Sequence, residues 1–299
     1  LTPAFARGSA LSELASRLSA ANLDLARKGL ADPDPMMRIG ALDMLEGAPA
    51  ARIWQRVSPL LSDENRGVRL RAVALLAAVP STSQPPAERE RFDRAEAEFI
   101  AAQTLNADRP EALSGLGTFQ ARRGRTAEAE AAYRAALRLS PQHAPAAINL
   151  ADLYRSLGRD EEGEGVLRRA LAVSSREAGL HHALGLTLIR RARRDEALGE
   201  LRVAAELSPD QARYAYVYAV GLHSSGQAGE ALAVLKDSLT RHPADGATLS
   251  ALIGFSRDAG DLAGALAYAE RLAELAPGDP RPSLLVESLR RQINGSDVR

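Results

Sequence analysis

Cysteine is absent from the 299 residues. That removes disulfides, thiolate metal sites, a catalytic thiol and covalent haem attachment from the chemistry open to this chain. The same absence suits an oxidising compartment, where a stray thiol is a liability; the expected location is the periplasm, with the cytoplasm as the alternative. Aromatic residues make up only 4% of the chain. With alanine and leucine dominant, that composition fits helices packed through small residues rather than a sandwich of β-branched strands. Neither sign of charge prevails, since 38 basic residues offset 38 acidic ones. A nucleic-acid binder shows a basic stripe or a high pI, so no nucleic-acid partner is expected. No apolar run is long enough to span a bilayer, so no membrane insertion is expected. The chain opens on Leu1 rather than Met, with no signal-peptide pattern. It reads as a mature product or, the preferred reading, a fragment of a longer protein.

What is present is a period of 34 residues that runs from Pro110 to Asp279 without a slip. One column reads Pro141, Ser175, Pro209, Pro243, Pro277; another reads Gly124, Gly158, Ala192, Gly226, Gly260. A small-residue column holds Ala129, Gly163, Ala197, Ala231 and Ala265, and a large apolar one holds Leu116, Leu150, Leu184, Tyr218 and Leu252. Turn formers, small residues and core residues each keep their own place, which marks an array of one supersecondary unit. Such a length could hold two compact domains, but the period favours one solenoid.

The first eighty residues carry a different repeat. Leu30, Asp32, Arg38, Ala41 and Leu45 match Leu61, Asp63, Arg69, Ala72 and Leu76 at a constant offset of 31. Each match predicts a helix end, a turn with helix-starting residues (Asp32-Pro33-Asp34-Pro35; Ser62-Asp63-Glu64-Asn65), then a second helix, over 35–46 and 65–78. An opening helix is expected near Ala10–Leu18. Pro80, Pro85 and Pro86, with Ser81, Thr82 and Ser83 between them, cannot continue a helix. A linker over 80–86 therefore separates residues 1–79 from the array, short enough for the two parts still to pack together. The array is expected to comprise a half unit (87–109, with a lone helix over 87–106) and five units (110–143, 144–177, 178–211, 212–245, 246–279). A capping helix over 281–292, with Leu284, Leu285 and Leu289 on its packing side, and a frayed tail over 294–299 complete it.

The unit Pro110–His143, with Leu113, Leu116-Gly117, Gly124, Ala129, Tyr133, Ala136 and Pro141 in register, resembles the tetratricopeptide repeat (TPR) family. The resemblance covers about two thirds of the chain. It implies an all-α, right-handed superhelical solenoid of antiparallel helix pairs, with a concave groove lined by first helices. Three departures, Ser175, Ala192 and Gly163, are expected to loosen the second and third units without abolishing them. The Asp32/Arg38 and Asp63/Arg69 pairs resemble HEAT repeats. A weaker resemblance, through Asn106–Glu111, Asn149–Arg155 and His181–Gly185, is to the C-terminal repeat region of bacterial multihaem c-type cytochromes. Their haem-attachment motifs have no counterpart here.

If the TPR geometry holds, the groove collects Asn149, Asp152, Arg155, His182, Leu186, Tyr216, Val220 and His223. Tyr and Arg dominate interface energetics, and Asn offers a donor and an acceptor to a peptide backbone. The expected partner is a protein segment, an extended peptide or helix, and self-association through the array ends is a further reading. The family's carboxylate clamp is not expected: Asn149 fits it, but Ser114, Thr118, Gly179 and Ala183 occupy the other places. Arg190, Arg191, Arg193 and Arg194 form a basic cluster, read first as a solvated turn and second as a docking point for an acidic partner. His181 and His182 are adjacent and diverge by roughly 100° on a helix, so they do not face one metal ion. His182 and His223, on neighbouring first helices, lack the further ligands that zinc uses. No cofactor or metal is expected.

Gly115-Leu116-Gly117 and Gly163-Glu164-Gly165 lack the strand–turn–helix context of a nucleotide site, and Asn294-Gly295-Ser296 matches a glycosylation sequon only formally. Glu161 and Glu162 suit a helix start rather than acid–base catalysis. The chain reads as a non-catalytic interaction scaffold; the alternative is the non-haem arm of a larger multihaem cytochrome or other redox enzyme.

Overall fold

The computed structural model describes residues 9–11 and 20–296, so most of the helix expected over Ala10–Leu18 lies outside the described residues. The described residues are helical, with no strand among them. Among the described residues, α1 (Ala20–Leu30), α2 (Pro35–Met44), α3 (Ala50–Val57), α4 (Arg66–Leu76) and α5 (Pro86–Leu105) stand ahead of the five full repeats. First helices of the repeats follow as α6 (Pro110–Arg122), α8 (Ala144–Ser156), α10 (Ala178–Arg190), α12 (Ala212–Ser224) and α14 (Gly246–Asp258). Second helices are α7 (Thr126–Leu139), α9 (Asp160–Val173), α11 (Arg194–Leu207), α13 (Ala228–Arg241) and α15 (Leu262–Leu275). Each set recurs every 34 residues, as the columns predict. The last helix, α16, covers Pro280–Ser296. It continues past 292, into the stretch expected to be frayed.

Two compact units divide the chain between Asn149 and Leu150. In the first, one core runs from Leu11 to Phe119 and joins the residues on both sides of the proline-rich stretch 80–86, which is itself exposed apart from Gln84. A short 3-10 turn (Ser81–Ser83) forms there, and buried Gln84 donates to the Val79 carbonyl at 3.2 Å. Arg122 and Arg123, at the end of α6, donate to the carbonyls of Ala74 (3.2 Å) and Val79 (3.1 Å), at and just beyond the end of α4. Cations are favoured there because the last helical carbonyls carry partial negative charge.

The offset-31 pairs have a geometric reason. Asp34 and Asn65 cap α2 and α4 by accepting from Met36 (2.8 Å) and Gly67 (2.9 Å). Arg38 donates to the carbonyls of Asp32 and Pro33, and its fork reaches the Asp63 carboxylate at 2.9 and 2.8 Å. Arg69 repeats the pattern one period on, donating to the carbonyls of Asp63 and Glu64 and to both oxygens of Glu98. Each arginine thus closes its own turn and staples the next helix pair. Such a fork needs arginine rather than lysine; only Lys28 and Lys236 among the basic residues are lysines.

In the second unit the turn column takes left-handed backbone: Gly158 (φ 71°), Ala192 (φ 59°), Gly226 (φ 81°) and Gly260 (φ 77°). After each, the next N–H bonds back to the first helix, as Arg193 does to the Leu188 carbonyl at 3.0 Å. This Schellman-type closure fixes where the chain reverses. At Ala192 the same closure is made by a residue with a Cβ, which the left-handed region disfavours. The Ser175 departure is met by His181, whose Nε2 lies 3.0 Å from the Ser175 carbonyl while Nδ1 lies 2.6 Å from Glu200. Helix α16 seats Leu289 and Val286 in a small core with Ile253, Ala265 and Ala269. Leu285 packs at its edge, but Leu284 is 60% exposed, so Val286 takes the place expected for it.

Candidate partner-binding face

The eight candidate residues fall on α8, α10 and α12, and α8 crosses the division between the compact units. Asn149 belongs to the first unit, where its Nδ2 donates to Thr118 at 3.3 Å. The Thr118 hydroxyl also accepts from Tyr133 at 3.1 Å, which ties Asn149 into the preceding repeat. The others belong to the second unit. Asp152 and Arg155 are exposed and pair with one another at 3.1 Å, so each neutralises the other.

Helical spacing decides what the remaining residues share. His182, Leu186 and Ile189 stand at i, i+4 and i+7 on α10; Tyr216, Val220 and His223 repeat this on α12. Ring contacts bind the layer together. His182 lies 4.7 Å from Tyr214 of α12, and His223 stacks at 3.9 Å and 5° on Phe255 of α14. His223 Nε2 also approaches Asp258 at 3.4 Å. Ile189 and Val220 remain 41% and 36% exposed, while Leu186 and Tyr216 are half-buried.

His182 departs from the part expected of it. It is only 9% exposed, and neither ring nitrogen has a hydrogen-bond partner among the described residues. Burial, with the nearby positive charge of Arg213, pushes its pKa down to about 4, so the ring is neutral at pH 7. It forms part of the floor beneath the exposed side chains rather than a polar contact at the surface. Sequence reasoning missed the residues that position this layer, Tyr214, Phe255 and Asp258. Their only signal is that they flank the periodic columns.

The arginine cluster is largely spent within the chain. Arg190 pairs with Asp160 at 2.8 Å, while Arg191 and Arg193 both bind Glu164, whose side chain is 4% exposed. Arg168 adds a third guanidinium to Glu164 at 2.9 Å, and Arg193 also holds Glu196. The first compact unit contains the same knot two periods earlier, where Arg123 and Arg125 bind buried Glu96. Later repeats place Leu198, Leu232 and Leu266 in that column. The earlier repeats place Glu96, Glu130 and Glu164 there, and the signal available in the sequence was the Arg-x-Arg that follows Glu96 and Glu164 at the next turn column.

Among the described residues no three His, Asp or Glu side chains converge to hold a metal ion, and no helix is long and apolar enough to cross a membrane.

Residues 87–189 match the family model described as the cilia and flagella-associated protein 70 middle TPR-like domain. Among solved structures the chain is similar to MamA, with 17% identity over 54% of this chain and 95% of that one (TM-score 0.48). It is similar to YrrB, described as a TPR protein with an unusual peptide-binding site, with 19% identity over 64% and 97% (TM-score 0.48). A third likeness, to the Cut9–Hcn1 hetero-tetramer of the APC/C, has 16% identity over 90% of this chain and 52% of that one (TM-score 0.50). No curated protein gives a significant match. The 34-residue register, its paired helices and left-handed turn column, and the TPR-like match over 87–189 together describe an array of TPR-like helix pairs.

Proposed function

We propose that this chain is a non-catalytic interaction scaffold that holds a segment of a partner protein against the first-helix layer of α10, α12 and α14. The observation that carries the reading is the pair of in-register rows, His182-Leu186-Ile189 and Tyr216-Val220-His223. Their apolar members stay part-exposed although the rings beneath them are packed. Part-exposed apolar and aromatic side chains on a rigid floor are what an incoming helix or extended peptide desolvates most profitably. Polar residues around them, Asp152, Arg155 and His223, set register rather than affinity. Arg190, Arg191 and Arg193 stay outside this role because their charges are already matched.

The test is capture of partners by the full chain with the Ile189→Asp/Val220→Asp double variant as the control. Both side chains are exposed, so helicity by circular dichroism should be unchanged. Partners retained by the wild type and released by the variant support the reading; equal retention by both refutes it.

A further inference from the structure

Where the offset-31 helices meet the first repeat, the first compact unit holds a cleft of about 530 Å³. Two helices present one face each to it. Gly67, Leu70, Arg71 and Ala74 of α4 stand at i, i+3, i+4 and i+7, and Gly115, Thr118, Phe119 and Arg122 of α6 repeat that spacing. The floor is apolar, built from Ile39 and Leu70 with Phe99 and Phe119, whose rings stack at 4.6 Å.

Gly115 is the telling residue. Glycine inside a helix costs about 1 kcal/mol relative to alanine. Two residues on, Gly117 is explained by packing, because a Cβ there would stand 2.6 Å from the Tyr133 ring. At Gly115 a Cβ would meet nothing closer than Gln103 Oε1, at 3.8 Å. No contact within the chain requires this glycine. What it preserves is room in the cleft.

The polar groups around that room divide into occupied and available. Thr118 donates to Ser114 and accepts from Tyr133 and Asn149. Arg71 is held by Asp43 at 2.5 Å and Glu46 at 2.6 Å. By contrast, the Gln103 carboxamide has no partner among the described residues, and it carries both a donor and an acceptor, as a peptide link does. Arg122 is exposed; it reaches Glu46 only at 3.5 Å and spends one nitrogen on the Ala74 carbonyl. Its fork matches a carboxylate.

We propose that this cleft is a second docking site, separate from the α10–α14 face. It takes a partner-protein segment that seats one large apolar side chain on the Phe99–Phe119 floor. The segment pairs its main chain with Gln103 and sets a flanking Asp or Glu on Arg122. A fatty acid or similar amphipathic anion uses the floor and Arg122 but leaves the carboxamide unmatched, which is why a peptide is the occupant assigned.

The experiment selects a random dodecapeptide display library on the full chain and measures the enriched peptides, synthesised and fluorescently labelled, by anisotropy. Enriched sequences should share a large apolar residue with an acidic residue close by. Gly115→Leu, which fills the cleft, should weaken them by about a hundredfold, and Arg122→Gln and Gln103→Leu by about tenfold each. Gly115→Ala should raise the thermal midpoint, and Gly115→Leu should keep the wild-type helical circular-dichroism signal, so that its loss of binding is not loss of fold. Three outcomes overturn the assignment: enriched peptides that bind Gly115→Leu as tightly as wild type, peptides indifferent to Arg122→Gln, or binding of dodecanoate at this cleft with no peptide enriched. Peptides lost on Val220→Asp but not on Gly115→Leu also overturn it, while leaving the α10–α14 face standing.

Discussion

Ala192 should be improved by glycine. It stands in the turn column at φ 59°, where Gly158, Gly226 and Gly260 carry no Cβ. Left-handed backbone costs a residue with a Cβ roughly 1–2 kcal/mol. Glycine relieves this but adds disorder to the unfolded chain, worth about 0.4–1 kcal/mol in the opposite sense. Ala192 is exposed, so its methyl group contributes little burial to lose. The net expectation for Ala192→Gly is a gain of about 0.5–1 kcal/mol. Gly226→Ala is the mirror experiment. A Cβ there meets nothing within 4 Å, so only the backbone term acts, and a loss of similar size is expected. The chain has two compact units, so a single global unfolding energy is a poor readout. Native-state hydrogen exchange at low urea reports each helix pair: α10 and α11 should open less readily in Ala192→Gly, and α12 and α13 more readily in Gly226→Ala. If Gly226→Ala behaves as expected while Ala192→Gly leaves α10 and α11 unchanged or weakened, the strain assigned to Ala192 is refuted.

Three further perturbations test the other physical claims. Glu164→Gln leaves Arg168, Arg191 and Arg193 facing a neutral side chain and should destabilise α9–α11 by about 3 kcal/mol, while Glu161→Gln on the surface should change stability by less than about 0.5 kcal/mol, both read from native-state exchange of α9–α11 amides. His182 has its pKa lowered by burial, so the unfolded chain binds more protons than the folded one between pH 6.5 and about 4; stability should fall as pH drops through that window, and His182→Phe should flatten the fall in a pH series of native-state exchange at α10 and α12, corrected for the intrinsic exchange rate. Arg69→Lys should fail to restore what Arg69→Ala loses, because an ammonium cannot serve two turn carbonyls and both Glu98 oxygens at once; slowed exchange of α4 amides in the lysine variant would count against the arginine ladder.

Much of this fold was legible because its information is local and repeated. Helix starts and stops, the turn at each left-handed residue and the buried small-residue column depend on spacing within one unit, and the unit recurs five times. Reading the candidate face was harder. The columns named His182 as a surface contact, yet burial beneath Tyr214 made it part of the floor, and Leu284 and Val286 exchanged roles at the cap. Whether a helical side chain is covered depends on the neighbouring helix, and no spacing rule within one helix contains that neighbour.

The sequence by itself determined the period, the helix pairs, the turn column and the absence of thiol chemistry, because each follows from residue type and separation along the chain. Tertiary structure alone decided where charge and space ended up. Arg191 and Arg193 proved to be bound to Glu164, one core proved to join both sides of the proline-rich stretch, and Gly115 proved to face a cleft rather than a packed ring. These facts join residues tens of positions apart. Ion pairing, core continuity and empty volume are properties of surfaces in contact, and those surfaces exist only once the helices have stacked.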